Sequence, residues 1–104
     1  MDSQIITLQE DNYRDHVQAN DCLVVFHKSK CPNCKVLLKV MDKCKASHPD
    51  IAMACINSEE NDVIVKELEV SRVPSILVYK KGDVAARKAG IMKPIELAEL
   101  YLSA

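Results

Sequence analysis

The stretch Cys22-Leu23-Val24-Val25-Phe26-His27-Lys28-Ser29-Lys30-Cys31-Pro32-Asn33-Cys34-Lys35 decides how this chain is read. Its first six residues form a short apolar run with β-branched and aromatic members, the pattern of a buried strand. Residues 36–47 are rich in Leu, Lys, Val and Met and contain neither Gly nor Pro, which predicts a helix. The two cysteines therefore sit where a strand turns into a helix. Pro32 suits the first helical position, where a missing N–H costs nothing. Cys31 then lies at the helix N-terminus, where unpaired N–H groups and the positive end of the dipole stabilise a thiolate. Cys34 follows one turn later, within reach of the same sulfur. This spacing puts a nucleophile and a resolving thiol in one turn, the arrangement that reversible disulfide exchange requires.

Along the helix, Cys34, Leu37, Leu38, Met41 and Lys45 share one side, so most of that side is apolar. Lys39, Asp42 and Lys43 fall largely on the other side, and His48-Pro49 ends the element. Upstream, residues 5–8 form a short strand candidate, and residues 9–19 a polar surface helix with Tyr13 and Val17 four apart. Asn20-Asp21 is a turn. Downstream, residues 51–56 read as a second buried strand. Asn57-Ser58-Glu59-Glu60 supplies helix-start chemistry for a helix over 61–69, with Ile64 and Leu68 on one face.

Val70-Ser71-Arg72-Val73-Pro74 leads into a strand over 75–79. Lys80-Lys81-Gly82-Asp83 is a hairpin turn in which Gly82 is free to take positive φ. Residues 84–89 pair back as a polar-faced strand, and Gly90-Ile91 ends it. Pro94 opens a last helix with Leu97, Leu100 and Tyr101 facing inward. The order β-α-β-α-β-α-β-β-α predicts an α/β fold. Its early alternation implies parallel strands with helices on both faces, and the closing hairpin adds antiparallel strands. There is no internal repeat or linker, so residues 1–104 are expected to form a single domain.

The 104 residues suffice for one domain with one core. Hydrophobic residues make up 48% and charged residues 28%, ordinary for a globular chain. A net charge of −1 gives no pull toward nucleic acid or an anionic membrane, and a monomer is expected. No apolar run approaches the ~18 residues a spanning helix needs. Met1-Asp2-Ser3-Gln4 lacks the basic and apolar regions of a secretory leader, so a cytoplasmic home is expected. In that reducing setting, five cysteines read as thiols and a working redox pair, not a structural disulfide framework.

Three features carry a family resemblance. The first is Cys31-Pro32-Asn33-Cys34 between a strand and a long helix. The second is Val73-Pro74 just before a buried strand. The third is Tyr79-Lys80-Lys81-Gly82-Asp83-Val84, followed by Gly90. Through these the sequence resembles the thioredoxin family over nearly its whole length. The resemblance implies a thioredoxin fold, with a central mixed sheet flanked by helices. It implies a thiol–disulfide oxidoreductase that reduces protein disulfides, with Cys31 attacking and Cys34 resolving. It further implies a cis Pro74 packed beside the cysteines, and a Val73 backbone that pairs with bound substrate. Arg72, Lys30, Pro32, Asn33, Gly90 and Ile91 would line the surrounding groove. No bound cofactor is implied. Electrons would come from a thioredoxin-reductase-like flavoprotein or from glutathione, so the expected partners are protein disulfides and a disulfide reductase.

The sequence also departs from the family. The usual motif reads Trp-Cys-Gly-Pro-Cys, whereas here Lys30 replaces the tryptophan and Pro32-Asn33 replaces Gly-Pro. Proline directly after the first cysteine looks more like glutaredoxins and bacterial disulfide oxidases. Val25 stands where thioredoxins bury a proton-passing acid, and Lys39 where many have a kinking proline. Arg72 occupies a position that is often small. His27, just before the loop, is a candidate acid/base in place of the missing carboxylate. Lys28, Lys30, Lys35 and Arg72 are candidates to converge on one mouth. Charge near Cys31, with no buried acid to oppose it, predicts a reduction potential less negative than the ~−270 mV of thioredoxin.

Two other readings compete. One is a glutaredoxin-like, glutathione-dependent oxidoreductase, although the segment after Gly82 lacks the expected glutathione-binding pattern. The other is a protein-binding module that keeps the fold and holds partners at Val73-Pro74, against which both cysteines are present. A zinc site built from Cys31, Cys34, Cys44 and His48 is disfavoured. In one continuous helix Cys44 lies roughly 15 Å from Cys34 at about 1.5 Å per residue, too far for one ion. No metal is expected. Cys22, Cys44 and Cys55 read as buried small hydrophobes, and His48 as a partner of the helix dipole.

Overall fold

A computed structural model describes residues 5–104; the reading of Met1 to Gln4 lies outside the described residues. The elements are β1 (Ile6–Leu8), α1 (Glu10–Ala19), β2 (Cys22–His27), α2 (Pro32–Ser47) and β3 (Met53–Asn57). They continue with α3 (Asp62–Glu67), β4 (Ser75–Lys80), β5 (Asp83–Ala89) and α4 (Pro94–Ser103). The strands form one sheet in the order β1-β3-β2-β4-β5. β2 lies at its centre, parallel to β3 and antiparallel to β4. A strand paired on both sides and covered on both faces must be apolar throughout, and Cys22 to Phe26 are all buried.

Alternation along β2 divides the core. Cys22, Val24 and Phe26 pack with Tyr13 and Val17 of α1 and Ile64 of α3. Leu23 and Val25 pack with Leu37, Met41 and Cys44 of α2 and Leu97 and Ala98 of α4. The helices thus cover both faces, as the element order requires. On the α1 face, the Tyr13 hydroxyl donates to that of Tyr79 at 2.9 Å, which satisfies two polar groups placed inside an apolar cluster. β4 and β5 are joined through Lys81 (φ 55°) and Gly82 (φ 84°), a two-residue turn of the type that suits a twisted hairpin.

Several boundaries differ from the sequence reading, each for a tertiary reason. Residues 57–60 do not begin a helix. The Asn57 side chain accepts from the Glu59 N–H to close a turn, and α3 starts after Asn61. The buried Asn61 side chain serves α1: its Oδ1 accepts from the Glu10 N–H, and its amide donates to Gln9 Oε1 and to the Asn57 carbonyl. α3 stops at Glu67, short of the expected Glu69, because Glu69 turns left-handed (φ 55°). Arg87 of β5 donates to the carbonyls of Leu68 and Glu69. Ile51 is buried but precedes β3, in a connection held by Lys45 Nζ. Leu100 and Tyr101 are only half-buried, and Ala98 joins Leu97 on the inner face of α4. Of the three further cysteines, Cys22 and Cys44 are fully buried, but Cys55 is only half-buried, its sulfur 3.8 Å from Thr7 Oγ1 on edge strand β1. His48 caps α2 through its backbone N–H, which donates to the Cys44 carbonyl. Its ring Nδ1 has no partner among the described residues.

Candidate active site

Register brings the candidate residues to one end of the sheet. Phe26, at the carboxyl end of β2, lies opposite Ser75, the first residue of β4, and Ser75 lies opposite Ala89 near the end of β5. The loop that carries Cys31, the Val73-Pro74 step and Gly90-Ile91 therefore all emerge together. The Val73-Pro74 bond is cis, and the Pro74 carbonyl accepts from the Gly90 N–H at 2.8 Å. β3 ends at the same place, since the Ser58 N–H donates to the His27 carbonyl at 2.7 Å.

Cys31 is the N-cap of α2 and Pro32 its first residue. The chain enters through Lys30, held left-handed at φ 55°, a conformation a non-glycine residue adopts only with strain. The Cys31 sulfur accepts from the Cys34 N–H at 3.2 Å, one of the donors that a helix start leaves open. Cys31 and Cys34 are joined as a disulfide, their Cα atoms 5.2 Å apart. Cys31 keeps 7% of its surface exposed and Cys34 only 1%, so the first sulfur faces the mouth and the second is sealed. Pro32, Asn33, Lys30, Arg72 and Ile91 are exposed, Gly90 is partly exposed, and Pro74 is buried. Val25 is fully buried against the α2 face, so no carboxylate occupies its place.

His27 ends β2, half-buried. Burial pushes its pKa below the ordinary imidazole value, with the Glu60 carboxylate opposing, so the ring is neutral at pH 7. Lys28 and Arg72 line a common hollow. Lys35 stands exposed on α2 and does not line it.

One residue of the mouth escaped the sequence reading. Glu59 Oε1 accepts from the Ser29 N–H at 2.9 Å, which ties the β3–α3 turn to the loop in front of Cys31. That hydrogen bond holds the Glu59 carboxyl below its usual range, and Lys28 and Lys30 add to the effect. The only local signal was its place in an Asn-Ser-Glu-Glu run, which points equally well to a helix start. The other cysteines differ sharply from the pair. Burial raises the thiol pKa of Cys22 to about 11, and it also pushes up those of Cys44 and Cys55. These remain protonated thiols at neutral pH, which is unreactive chemistry.

Residues 4–101 match the family model described as thioredoxin. The chain is 26% identical over 84 residues to the thioredoxin of Chlamydia pneumoniae, covering 81% of this chain and 82% of that protein. It is 34% identical over 83 residues to the mitochondrial thioredoxin of Bos taurus, covering 77% of this chain but half the length of that relative. The solution structure of reduced desulfothioredoxin from Desulfovibrio vulgaris Hildenborough superposes with a TM-score of 0.83 at 38% identity. It covers 95% of this chain and 97% of that one. With a Cys-X-X-Cys pair at a helix N-terminus beside a cis-proline step, the chain belongs to the thioredoxin family and is a thiol–disulfide oxidoreductase.

Proposed function

We propose that the protein reduces disulfide bonds of other proteins, with Cys31 as the attacking thiol and Cys34 as the resolving one. The Cys31 thiolate attacks one sulfur of the substrate disulfide. That S–S bond breaks, a substrate thiolate leaves, and a Cys31–substrate mixed disulfide forms. Cys34, deprotonated, then attacks the Cys31 sulfur. The second substrate thiolate leaves, and two electrons have passed from the dithiol to the substrate. The observation that carries this assignment is the inequality of the two sulfurs. Cys31 is the N-cap and keeps 7% of its surface exposed, while Cys34 lies one turn inside and keeps only 1%. His27, neutral at pH 7, is the proposed proton acceptor for Cys34, since Val25 cannot play that part.

The Val73 backbone forms no hydrogen bond among the described residues, which supports its use in pairing with an extended substrate chain. Lys30, Pro32, Asn33, Arg72, Gly90 and Ile91 form the rim that such a chain would cross. No bound cofactor takes part. The Cys31–Cys34 disulfide is returned to the dithiol by a flavoprotein disulfide reductase, with glutathione the competing donor. The protein acts as a monomer in the reducing cytoplasm. Among the described residues no helix is long and apolar enough to cross a membrane.

The test is trapping. Cys34→Ser should accumulate a mixed disulfide with insulin on Cys31, and Cys31→Ser should accumulate none and lose turnover by on the order of 10³-fold or more. Trapping by Cys31→Ser, with substrate held on Cys34, would reverse the assignment.

A further inference from the structure

A hollow of about 430 Å³ opens directly beside the Val73-Pro74 step, and nothing in the exchange chemistry of the two cysteines requires it. Its apolar wall is Val65, Val70 and Val73, and its charged rim is Lys28, Glu59 and Arg72. Lys28 belongs to the loop in front of Cys31, and Arg72 precedes Val73, so the rim frames the path of any chain that pairs with Val73.

The charges on this rim are unequal in availability. The Glu59 carboxylate is occupied by the Ser29 N–H and lies in the field of Lys28 and Lys30. Arg72 uses its carbonyl, not its guanidinium, to hold Ser75 Oγ. Among the described residues neither Lys28 nor the Arg72 side chain enters an ion pair. Beyond Arg72 a second hollow of about 220 Å³ adds Arg87, Lys88 and one acidic residue, Glu69, and Arg87 is engaged with the carbonyls of Leu68 and Glu69. The surface next to the cysteine mouth is therefore net positive over an apolar floor, while the chain as a whole carries −1. Such a surface suits an acidic side chain, with its methylenes on the valines and its carboxylate between Lys28 and Arg72.

We propose that this hollow selects protein substrates whose reactive cysteine is flanked by an acidic residue, with Lys28 and Arg72 as the specificity-determining groups. The proposal rests on the reading that protein disulfides approach Cys31 across Val73. A small tripeptide thiol has carboxylates for the rim but too little apolar surface to cover the three-valine wall, so an extended protein segment is the better occupant.

The experiment uses the reduced full chain and three peptides with the same intramolecular disulfide. Two residues from one cysteine they carry Glu, Gln or Lys. Single-turnover rate constants are read at low and at 0.5 M salt. The Glu peptide should react about fivefold faster than the Gln peptide, and the Lys peptide more slowly than either, the size a pair of exposed charges supports. High salt should compress the series. Arg72→Gln should bring the Glu-to-Gln ratio near one, and Arg72→Glu should invert the order so that the Lys peptide leads. Equal rates for all three peptides with the unsubstituted protein would overturn the proposal and leave disulfide reduction intact. Failure to reduce any of them would overturn the underlying reading as well. A dependence on Arg72 seen only with a glutathione mixed disulfide would assign the rim to the tripeptide and overturn the protein-segment proposal.

Discussion

The two ends of α2 carry the same two residue types and put them to opposite uses. At the N-terminus Cys31 caps the helix with its sulfur on a backbone N–H, and Lys28 and Lys30 stand exposed in the preceding loop. Near the C-terminus Cys44 is fully buried and Lys45 is buried to 7% exposure, its ammonium donating to the carbonyls of Pro49 at 2.9 Å and Ile51 at 2.6 Å. The difference follows from helix polarity combined with burial. Open N–H donors at the first turn favour an anion, so a cysteine there is activated. Apolar packing three turns later disfavours the thiolate, so burial pushes the Cys44 thiol up and that cysteine is inert. The lysines diverge for the same reason. In the loop their charge acts on a neighbouring site through water. At the far end the ammonium is held by hydrogen bonds to the Pro49 and Ile51 carbonyls, and the lysine becomes structural.

The largest effect on this contrast is expected at Lys45. Lys45→Met keeps the aliphatic stem against the core but leaves the Pro49 and Ile51 carbonyls without their donor. Hydrogen bonds from a charged donor contribute about 1.5–3 kcal/mol, so urea unfolding should show a loss of that order. The single-turnover rate of disulfide reduction should stay as it was, because the change lies at the end of α2 away from the cysteine pair. An undiminished unfolding midpoint would show that water replaces the ammonium at no cost. A reduced rate would show that the two ends are mechanically coupled.

The N-terminal half of this contrast was legible in the sequence, and most of the C-terminal half was not. Continuous apolar character over Cys22–Phe26, Pro32 at the first helical position and a Cys-X-X-Cys spacing are local features with one physical reading, and each appears in the structure as read. The cis step at Val73-Pro74 came only through the family resemblance. Lys45 fell on the inner side of the helical pattern, but its acceptors belong to the connection after the helix, which no periodicity describes. Asn61 and Glu59 were missed for a related reason. Asn61 holds the start of α1, 51 positions earlier in the chain, and Glu59 holds Ser29, 30 positions earlier. A polar side chain committed to a distant backbone looks, in sequence, like an ordinary turn or cap residue. The apolar run around Cys55 predicts burial, but the residue is only half-buried. Its partner in register is Thr7 of the edge strand, where cover is thinner.

Glu59 offers a sharper, smaller test of the N-terminal end. Glu59→Gln keeps an oxygen for the Ser29 N–H and removes only the negative charge beside Lys28 and Lys30. The potential around Cys31 becomes more positive, the thiolate is favoured, and the dithiol form gains stability relative to the disulfide. The reduction potential should therefore become less negative. The shift should stay below the ~30 mV that one unit of thiol pKa is worth, because water and salt screen an exposed charge. Equilibration with glutathione followed by thiol alkylation measures it. Glu59→Ala removes the anchor as well as the charge. If Ala and Gln shift the potential equally, charge alone is responsible, and a larger effect of Ala would assign the difference to loop position.

The smallest effect concerns His27, the titratable group at the end of β2. Burial lowers its pKa below the ordinary 6.5, and Glu60 only partly offsets this. The sign follows from linkage. Between the lowered folded value and 6.5 the unfolded chain binds a proton that the folded chain refuses. Stability therefore rises with pH through that window, is fully present above it, and is lost as the pH falls through it. The slope must stay below the ~1.4 kcal/mol per pH unit that one complete proton would give. His27→Asn should flatten this acid limb of the stability curve. The same substitution separates two roles for the ring. If His27 accepts the Cys34 proton, the resolving step at pH 7 should slow in the variant, and its rate should lose the pH dependence that the neutral imidazole confers. A flattened stability curve with an unchanged resolving rate would leave His27 as a half-buried strand-end residue. Cys34 would then lose its proton by a route that does not pass through the His27 ring.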